Sequence, residues 1–141
     1  MLTDNFGRRF YYLRLSITDV CNFSCNYCLP DGYQCDTPRD FMSLAEIKRL
    51  TASFASLGTE KIRITGGEPA LRKDLPDIIN LCKQTQGIKK VAITSNGFKL
   101  PEHLPQWLDA GIDAINISID SLDPRKFLAI TGHNKLDTIL K

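Results

Sequence analysis

Apolar and polar residues alternate in four short stretches of this chain, and a two-residue period of this kind predicts β-strands. The predicted strands are Tyr12 to Thr18, Lys61 to Thr65, Lys90 to Thr94 and Ala114 to Asp120. Between them, apolar residues recur every three to four positions, which is the pattern of a helix with one buried face. Strands that alternate with helices predict an α/β fold built from βα repeats, in which the strands form a parallel sheet.

The intervening segments contain signals for four helices. We predict one from about Ser43 to Leu57, one that follows Asp74, a shorter one from about Leu104 to Ala110, and one that begins at Asp123-Pro124. Ser43 and Glu46 form a capping box at the start of the first helix, and Gly58 marks its end. Cys82 falls on the apolar face of the second helix, so we expect it in the core.

The alternation within the strands also distinguishes the two faces of the sheet. Strands that are buried on both faces are near-continuous runs of Val, Ile and Leu, whereas here Leu13 and Leu15 flank Arg14. We interpret the apolar positions as facing the helices and the polar positions as lining a concave, water-filled lumen that can hold a ligand. An antiparallel sheet with one solvated face would show the same alternation, but the intervening helices favour the parallel arrangement.

Composition indicates an ordinary globular protein. The chain has 141 residues, of which 43% are hydrophobic and 24% charged, and no repeat or linker divides it, so we expect residues 1–141 to form part of a single domain. The net charge of +2 does not indicate a nucleic-acid partner. Met1 to Phe10 lack the apolar stretch of a secretory signal, and no segment is long and apolar enough to span a bilayer. We therefore expect a cytoplasmic protein without a membrane or nucleic-acid partner.

Three of the five cysteines lie close together, as Cys21, Cys25 and Cys28 in a C-x3-C-x2-C arrangement. They follow the first predicted strand, and barrel enzymes carry their catalytic residues at the C-terminal ends of parallel strands. Three thiolates can ligate three irons of a [4Fe-4S] cluster and leave the fourth iron open to another ligand. The alternative is a structural zinc site, with a fourth ligand from Cys35 or a histidine.

The other predicted strands end in small and polar residues. Gly66 and Gly67 allow a ligand to approach the backbone, and the Glu68 carboxylate can bind a cationic amine. Thr94 ends the third predicted strand, and Ser118 lies in the fourth; both offer hydroxyl groups suited to ribose or carboxylate contacts. Each feature alone is compatible with a simple turn or cap, but their shared place at the strand ends predicts one ligand site.

The cysteine spacing, with the aromatic residue Tyr27 before the third cysteine, resembles the signature of the radical SAM superfamily. The resemblance implies a partial TIM barrel and a [4Fe-4S] cluster on the three cysteines. It also implies that S-adenosylmethionine binds the open iron and is cleaved reductively to a 5'-deoxyadenosyl radical. The cofactor contacts that it implies are Tyr27, Gly66, Gly67, Glu68 and Ser118.

Longer segments around Arg14, Arg63 and Ser118 resemble the GTP-cyclising enzymes of molybdenum cofactor biosynthesis, a family of lyases within this superfamily. The resemblance implies that Arg14, Arg63 and Thr94 contact GTP. It also implies a reductant or electron-transfer protein as a partner, a cyclic pyranopterin synthase downstream, and a homodimer as one assembly that the family allows.

The polar parity of Arg14 and Arg63 independently places both in the lumen, where two arginines that face one cavity need an anion such as a triphosphate. Arg72 and Lys73 are further candidates for phosphate contacts, with an exposed basic loop as the equal alternative.

The chain departs from that family in length, because the cyclases are more than twice as long. Their later half supplies further strands and a second [4Fe-4S] cluster, neither of which this sequence contains. We therefore expect the N-terminal part of a radical SAM core, incomplete for turnover by itself. Two alternatives remain open: a radical SAM enzyme for another substrate such as a peptide, and a catalytically incomplete iron-sulfur or zinc-binding remnant.

Overall fold

The computed structural model of the protein describes residues 2–18, 41–98, 100–118 and 122–131. The strands are β1 (Leu2–Thr3), β2 (Arg9–Phe10), β3 (Tyr12–Ser16), β4 (Lys61–Thr65), β5 (Lys90–Ser95) and β6 (Ala114–Ile117). The α-helices are α1 (Leu44–Ser56), α2 (Leu75–Gln84), α3 (Leu100–Ala110) and α4 (Pro124–Thr131). One turn of 3-10 helix, Pro69–Leu71, lies between β4 and α2.

The four longer strands form one sheet in the order β3-β4-β5-β6, and every neighbouring pair is parallel. This topology confirms the predicted α/β fold and excludes the antiparallel alternative for these strands. It requires each connection to cross from one end of the sheet to the other, and α1, α2 and α3 make those crossings. The carboxyl ends of the four strands therefore meet at one edge of the sheet.

The apolar strand positions pack against the helices in a single core. Its innermost side chains, none of which is more than 1% exposed, are Ile62, Ile64, Val91 and Ile93 from the sheet and Ile47, Ile78, Ile79 and Trp107 from the helices. Burial of such side chains stabilises the fold by about 1.5 to 3 kcal/mol each before conformational entropy is counted. The polar strand positions, such as Arg14 and Arg63, lie on the opposite face of the sheet.

Helix α1 shows why the capping signals were informative. The Ser43 side-chain oxygen accepts a hydrogen bond from the backbone N–H of Glu46 at 3.2 Å, which is the N-cap half of the predicted capping box. The helix ends at Ser56 with Leu57 as its C-cap, and Gly58 follows with φ of +102°, a left-handed conformation that favours glycine.

Four boundaries differ from the predicted ones. β3 ends at Ser16 rather than Thr18, and β5 extends to Ser95. Helix α3 begins at Leu100 instead of Leu104. Pro101 is tolerated in its first turn, because the N–H that proline lacks would have no hydrogen-bond partner within the helix at that position. The β1–β2 hairpin was not predicted, since strands of two residues are too short for an alternating pattern. β6 ends at Ile117, so Ser118 follows the strand and does not lie in it as predicted, while the predicted end at Asp120 lies outside the described residues.

Cys82 is fully buried within α2, as expected. Its removal from water raises the pKa of the thiol to about 12, so it stays protonated and has the character of an apolar side chain. No helix in the described part of the chain is long and apolar enough to cross a membrane.

Candidate functional site

Backbone hydrogen bonds join the carboxyl ends of the four parallel strands along one edge of the sheet. Beyond β3, the Thr18 carbonyl accepts a hydrogen bond from the Gly67 N–H at 2.8 Å, which ties the exit of β3 to that of β4. Beyond β6, the Ser118 N–H donates to the Ser95 carbonyl at 2.9 Å. The strand ends that the sequence singled out are therefore in contact, and Ser118 is exposed at the end of β6.

Gly66 is required at this edge by the backbone of Thr18. Its φ is +147°, and a Cβ placed on it would lie 2.4 Å from the Thr18 carbonyl oxygen and 3.1 Å from the Thr18 nitrogen. Real side chains do not tolerate such a distance, so only glycine fits. The close backbone approach that the sequence predicted is thus made by the protein's own Thr18. A contact of Gly66 or Gly67 with S-adenosylmethionine stays a prediction.

Glu68 is buried, with only 1% of its surface exposed, and it links β4 to β5. Its Oε1 accepts hydrogen bonds from the Ser95 hydroxyl at 2.7 Å and the Ala70 N–H at 3.1 Å, and its Oε2 accepts one from the Asn96 N–H at 2.7 Å. Burial raises the pKa of the Glu68 carboxyl above its ordinary value, although these three hydrogen bonds oppose the shift.

These hydrogen bonds occupy three of the roughly four acceptor positions of a carboxylate. About one acceptor position is left on Oε2, and because Glu68 is only 1% exposed, its contact with a cationic amine stays a prediction. The same contacts give Glu68 a second role that the sequence did not reveal, since they hold the Gly-Gly-Glu-Pro turn against the end of β5.

Arg14 and Arg63 are paired in the register of β3 and β4, and residues paired in this way point to the same face of a sheet. Arg63 donates from Nε to the Tyr12 hydroxyl at 2.7 Å and from Nη1 to the Thr94 hydroxyl at 3.2 Å. Neither arginine forms an ion pair with a carboxylate of the described residues. Two cations side by side repel each other, so this face of the sheet favours an anion.

Lys61 extends this basic face, and the sequence reasoning overlooked it. Lys61 is the register partner of Tyr12, and its ammonium lies 5.4 Å from the centre of the Tyr12 ring. The signal was available, because Tyr12 and Lys61 each lie two positions before one of the predicted arginines and so share their face.

The predicted cluster ligands Cys21, Cys25 and Cys28, together with Tyr27, lie outside the described residues. The described chain ends at Thr18 and resumes at Phe41. Thr18, which precedes Cys21 by three residues in the sequence, accepts a hydrogen bond from the Gly67 N–H of the Gly-Gly turn. Three cysteine thiolates suit an iron-sulfur cluster in donor type, and their binding of a cluster stays a prediction.

Of the two further phosphate candidates, Lys73 is exposed, whereas Arg72 directs its guanidinium to groups of the protein itself. Within the described ranges, no group of three or more His, Cys, Asp or Glu side chains is arranged to hold a metal ion.

Comparisons with known proteins give a consistent result. Residues 15–141 match the family model described as the radical SAM superfamily. The chain is 58% identical over 140 residues to a GTP 3',8-cyclase of Shewanella denitrificans, covering 99% of this chain and 42% of the relative. It is 57% identical to a GTP 3',8-cyclase of Yersinia pestis, covering 99% of this chain and 43% of the relative. The chain thus spans well under half the length of these curated relatives.

Among solved structures, the fold resembles that of Streptococcus suis SuiB bound to the precursor peptide SuiA, with a TM-score of 0.70. The two are 19% identical in sequence, and the match covers 89% of this chain and 28% of SuiB. At this level of identity the likeness concerns the fold alone, and it does not favour a peptide substrate.

We expect Gly66→Ala to destabilise the chain by about 3 kcal/mol or more, because it combines an unfavourable φ with a clash against Thr18. Gly7→Ala is the matched control: Gly7 also has a positive φ, +79°, but a Cβ there would meet nothing within 4 Å. Its loss should be about 1 to 2 kcal/mol at most. Urea unfolding of both variants measures the difference, and equal losses would show that Thr18 does not impose the glycine.

Proposed function

The chain belongs to the radical SAM superfamily, and from this premise we propose that Cys21, Cys25 and Cys28 bind a [4Fe-4S] cluster that uses S-adenosylmethionine. The superfamily implies both cofactors. The proposal for these residues is supported by their thiolate chemistry, their spacing, and the position of Thr18 at the edge where the strand ends meet. When bound, the reduced cluster supplies the electron that cleaves S-adenosylmethionine to methionine and a 5'-deoxyadenosyl radical.

The chain's own residues would hold and orient S-adenosylmethionine at this edge. Glu68, with an acceptor position left on its carboxylate, is proposed to bind the amino group of the methionine portion. Gly66 and Gly67 would line the same portion, because they follow β4 directly and carry no side chains. Ser118, exposed at the end of β6, is proposed to contact the cofactor through its hydroxyl, and Tyr27 to pack against the adenine ring.

The substrate proposal depends on one observation, the paired arginines of β3 and β4. Arg14 and Arg63 lie side by side on one face of the sheet, Lys61 adds a third cation there, and the described residues offer the arginines no carboxylate. A triphosphate would supply the negative charge that these cations lack, since each charge-assisted hydrogen bond contributes about 1.5 to 3 kcal/mol. We therefore propose GTP as the substrate, with Thr94 as a further contact that also orients Arg63.

We propose that the whole protein converts GTP to 3',8-cyclo-7,8-dihydro-GTP in molybdenum cofactor biosynthesis. The support is the identity of 56% or more to the GTP 3',8-cyclases, over the part of them that this chain spans. A soluble reductant or electron-transfer protein would supply the electron, and a cyclic pyranopterin synthase would use the product. We also propose that residues 1–141 form one part of a single catalytic domain, and that the protein is cytoplasmic.

The first prediction concerns the cluster. Anaerobic reconstitution should load about four irons and four sulfides per chain, and Cys21→Ala, Cys25→Ala or Cys28→Ala should each abolish this loading because three thiolates are the minimum set. Cys35→Ala is the matched control and should keep the cluster. Metal and sulfide analysis measures both. Stoichiometric zinc without iron, or loss of metal in Cys35→Ala, would instead support a structural zinc site.

The second prediction concerns GTP. Arg14→Gln or Arg63→Gln should weaken GTP binding by about tenfold or more, since each removes one charge-assisted contact to phosphate. Arg49→Gln is the control, because Arg49 is exposed on α1 and lies outside the sheet. Titration calorimetry on the cluster-loaded chain measures the affinity, and inorganic triphosphate should compete with GTP whereas guanosine should not. Unchanged affinity in both sheet variants would contradict the proposal.

A further inference from the structure

We propose that Arg72 is a positioning residue for the cluster, because its guanidinium donates hydrogen bonds to the carbonyls of Ile17 and Met42, which flank the three cysteines in the sequence. The inference rests on the proposed function of Cys21, Cys25 and Cys28, and it assigns Arg72 no contact with substrate or cofactor. Its role would be to fix the distance between Ile17 and Met42.

Four hydrogen bonds define the arrangement. Nη1 of Arg72 donates to the Ile17 carbonyl at 3.0 Å, and Nη2 donates to the Met42 carbonyl. Nε and Nη2 donate to the two carboxylate oxygens of Asp74 at 2.6 and 3.2 Å. The Arg72 side chain is only 12% exposed. A guanidinium has five N–H groups, so nearly all of its donors are committed to the protein and few remain for a phosphate.

The two carbonyls lie beside two different elements of the fold, and Arg72 connects them. Ile17 directly follows β3, is 2% exposed, and donates its N–H to the Thr65 carbonyl at 3.1 Å. Met42 precedes Ser43, the residue that caps α1. Arg72 itself directly follows the 3-10 turn that begins beside Glu68. One side chain therefore connects β3, the start of α1 and the Gly-Gly-Glu-Pro turn.

The Asp74 side chain forms an ion pair with Arg72 and does not cap the helix that follows it. Asp74 occupies the N-cap position of α2, yet its side chain makes no capping hydrogen bond. N-cap carboxylates normally accept such a bond, so the ion pair with Arg72 takes its place. Two parallel N–H···O bonds to one carboxylate also fix the plane of the guanidinium, which aims the remaining donors at the two carbonyls.

A cluster needs its three thiolates at fixed separations, and a chain whose two ends are held together reaches that geometry from fewer conformations. Lysine cannot replace arginine here, because a single ammonium lacks the planar fork that spans two carbonyls and a carboxylate. Arg72 should therefore control how firmly the cluster is held.

The test compares iron release from the reconstituted 141-residue chain in four variants. Arg72→Gln removes the connection, Arg72→Lys keeps the charge but not the fork, and Asp74→Asn keeps Arg72 but weakens its orientation. Lys83→Gln is the matched control: Lys83 also pairs with a carboxylate, Asp113 at 2.8 Å, and donates to the Lys89 carbonyl at 3.2 Å, on a different part of the fold.

The readout is the rate at which an iron chelator removes the cluster, measured at a temperature where circular dichroism shows every variant to be folded. We expect Arg72→Gln and Arg72→Lys to release iron about tenfold faster than the wild-type chain, and Asp74→Asn to fall between. Lys83→Gln should release iron at the wild-type rate, even if its melting temperature falls as much as those of the Arg72 and Asp74 variants. If Arg72→Gln does not fold, the comparison of Asp74→Asn with Lys83→Gln tests the inference, and Asp74→Asn should release iron faster than Lys83→Gln.

Equal release rates in Asp74→Asn, Arg72→Gln and Lys83→Gln would overturn the inference, because loss of an ion pair would then act only through global stability. Wild-type retention in Arg72→Lys would also overturn it, since charge alone would suffice. A wild-type chain that takes up no iron would contradict the proposed function itself, and this failure is recognised before any variant is compared.

Discussion

The contact between Thr18 and the Gly66-Gly67 turn is the constraint on which the rest of the site depends. The Thr18 carbonyl is held by the Gly67 N–H, and the missing side chain of Gly66 leaves room for it. This contact fixes Thr18, which precedes Cys21 by three residues in the sequence, relative to the turn that contains Glu68.

The sheet separates the two proposed binding tasks. Its carboxyl edge collects polar groups that are held by short hydrogen bonds and buried, as Glu68 is between Ala70 and the end of β5. Its open face presents Arg14 and Arg63, which lack carboxylate partners among the described residues. A cofactor bound at the edge and a polyanion bound on the face would therefore meet near Thr94, which both contacts Arg63 and lies one residue before Ser95.

The fold could be predicted because it depends on periodicity, which is a local property. The alternation around Leu13 and Leu15 sufficed to place Arg14 on the polar face, and parallel register then made Arg63 its neighbour. The contacts of Glu68 and Arg72 could not be predicted in this way. They join residues that are about 30 to 55 positions apart, and no local pattern specifies which carbonyl or N–H will lie within reach.

The central claim is that the three cysteines hold a cluster with one iron open to S-adenosylmethionine. The most direct measurement is the electron paramagnetic resonance spectrum of the reduced, reconstituted chain, recorded without and with S-adenosylmethionine. We expect the g values to change on addition, because the amino and carboxylate groups of the cofactor would ligate the open iron. Identical spectra from a fully loaded cluster would contradict the claim.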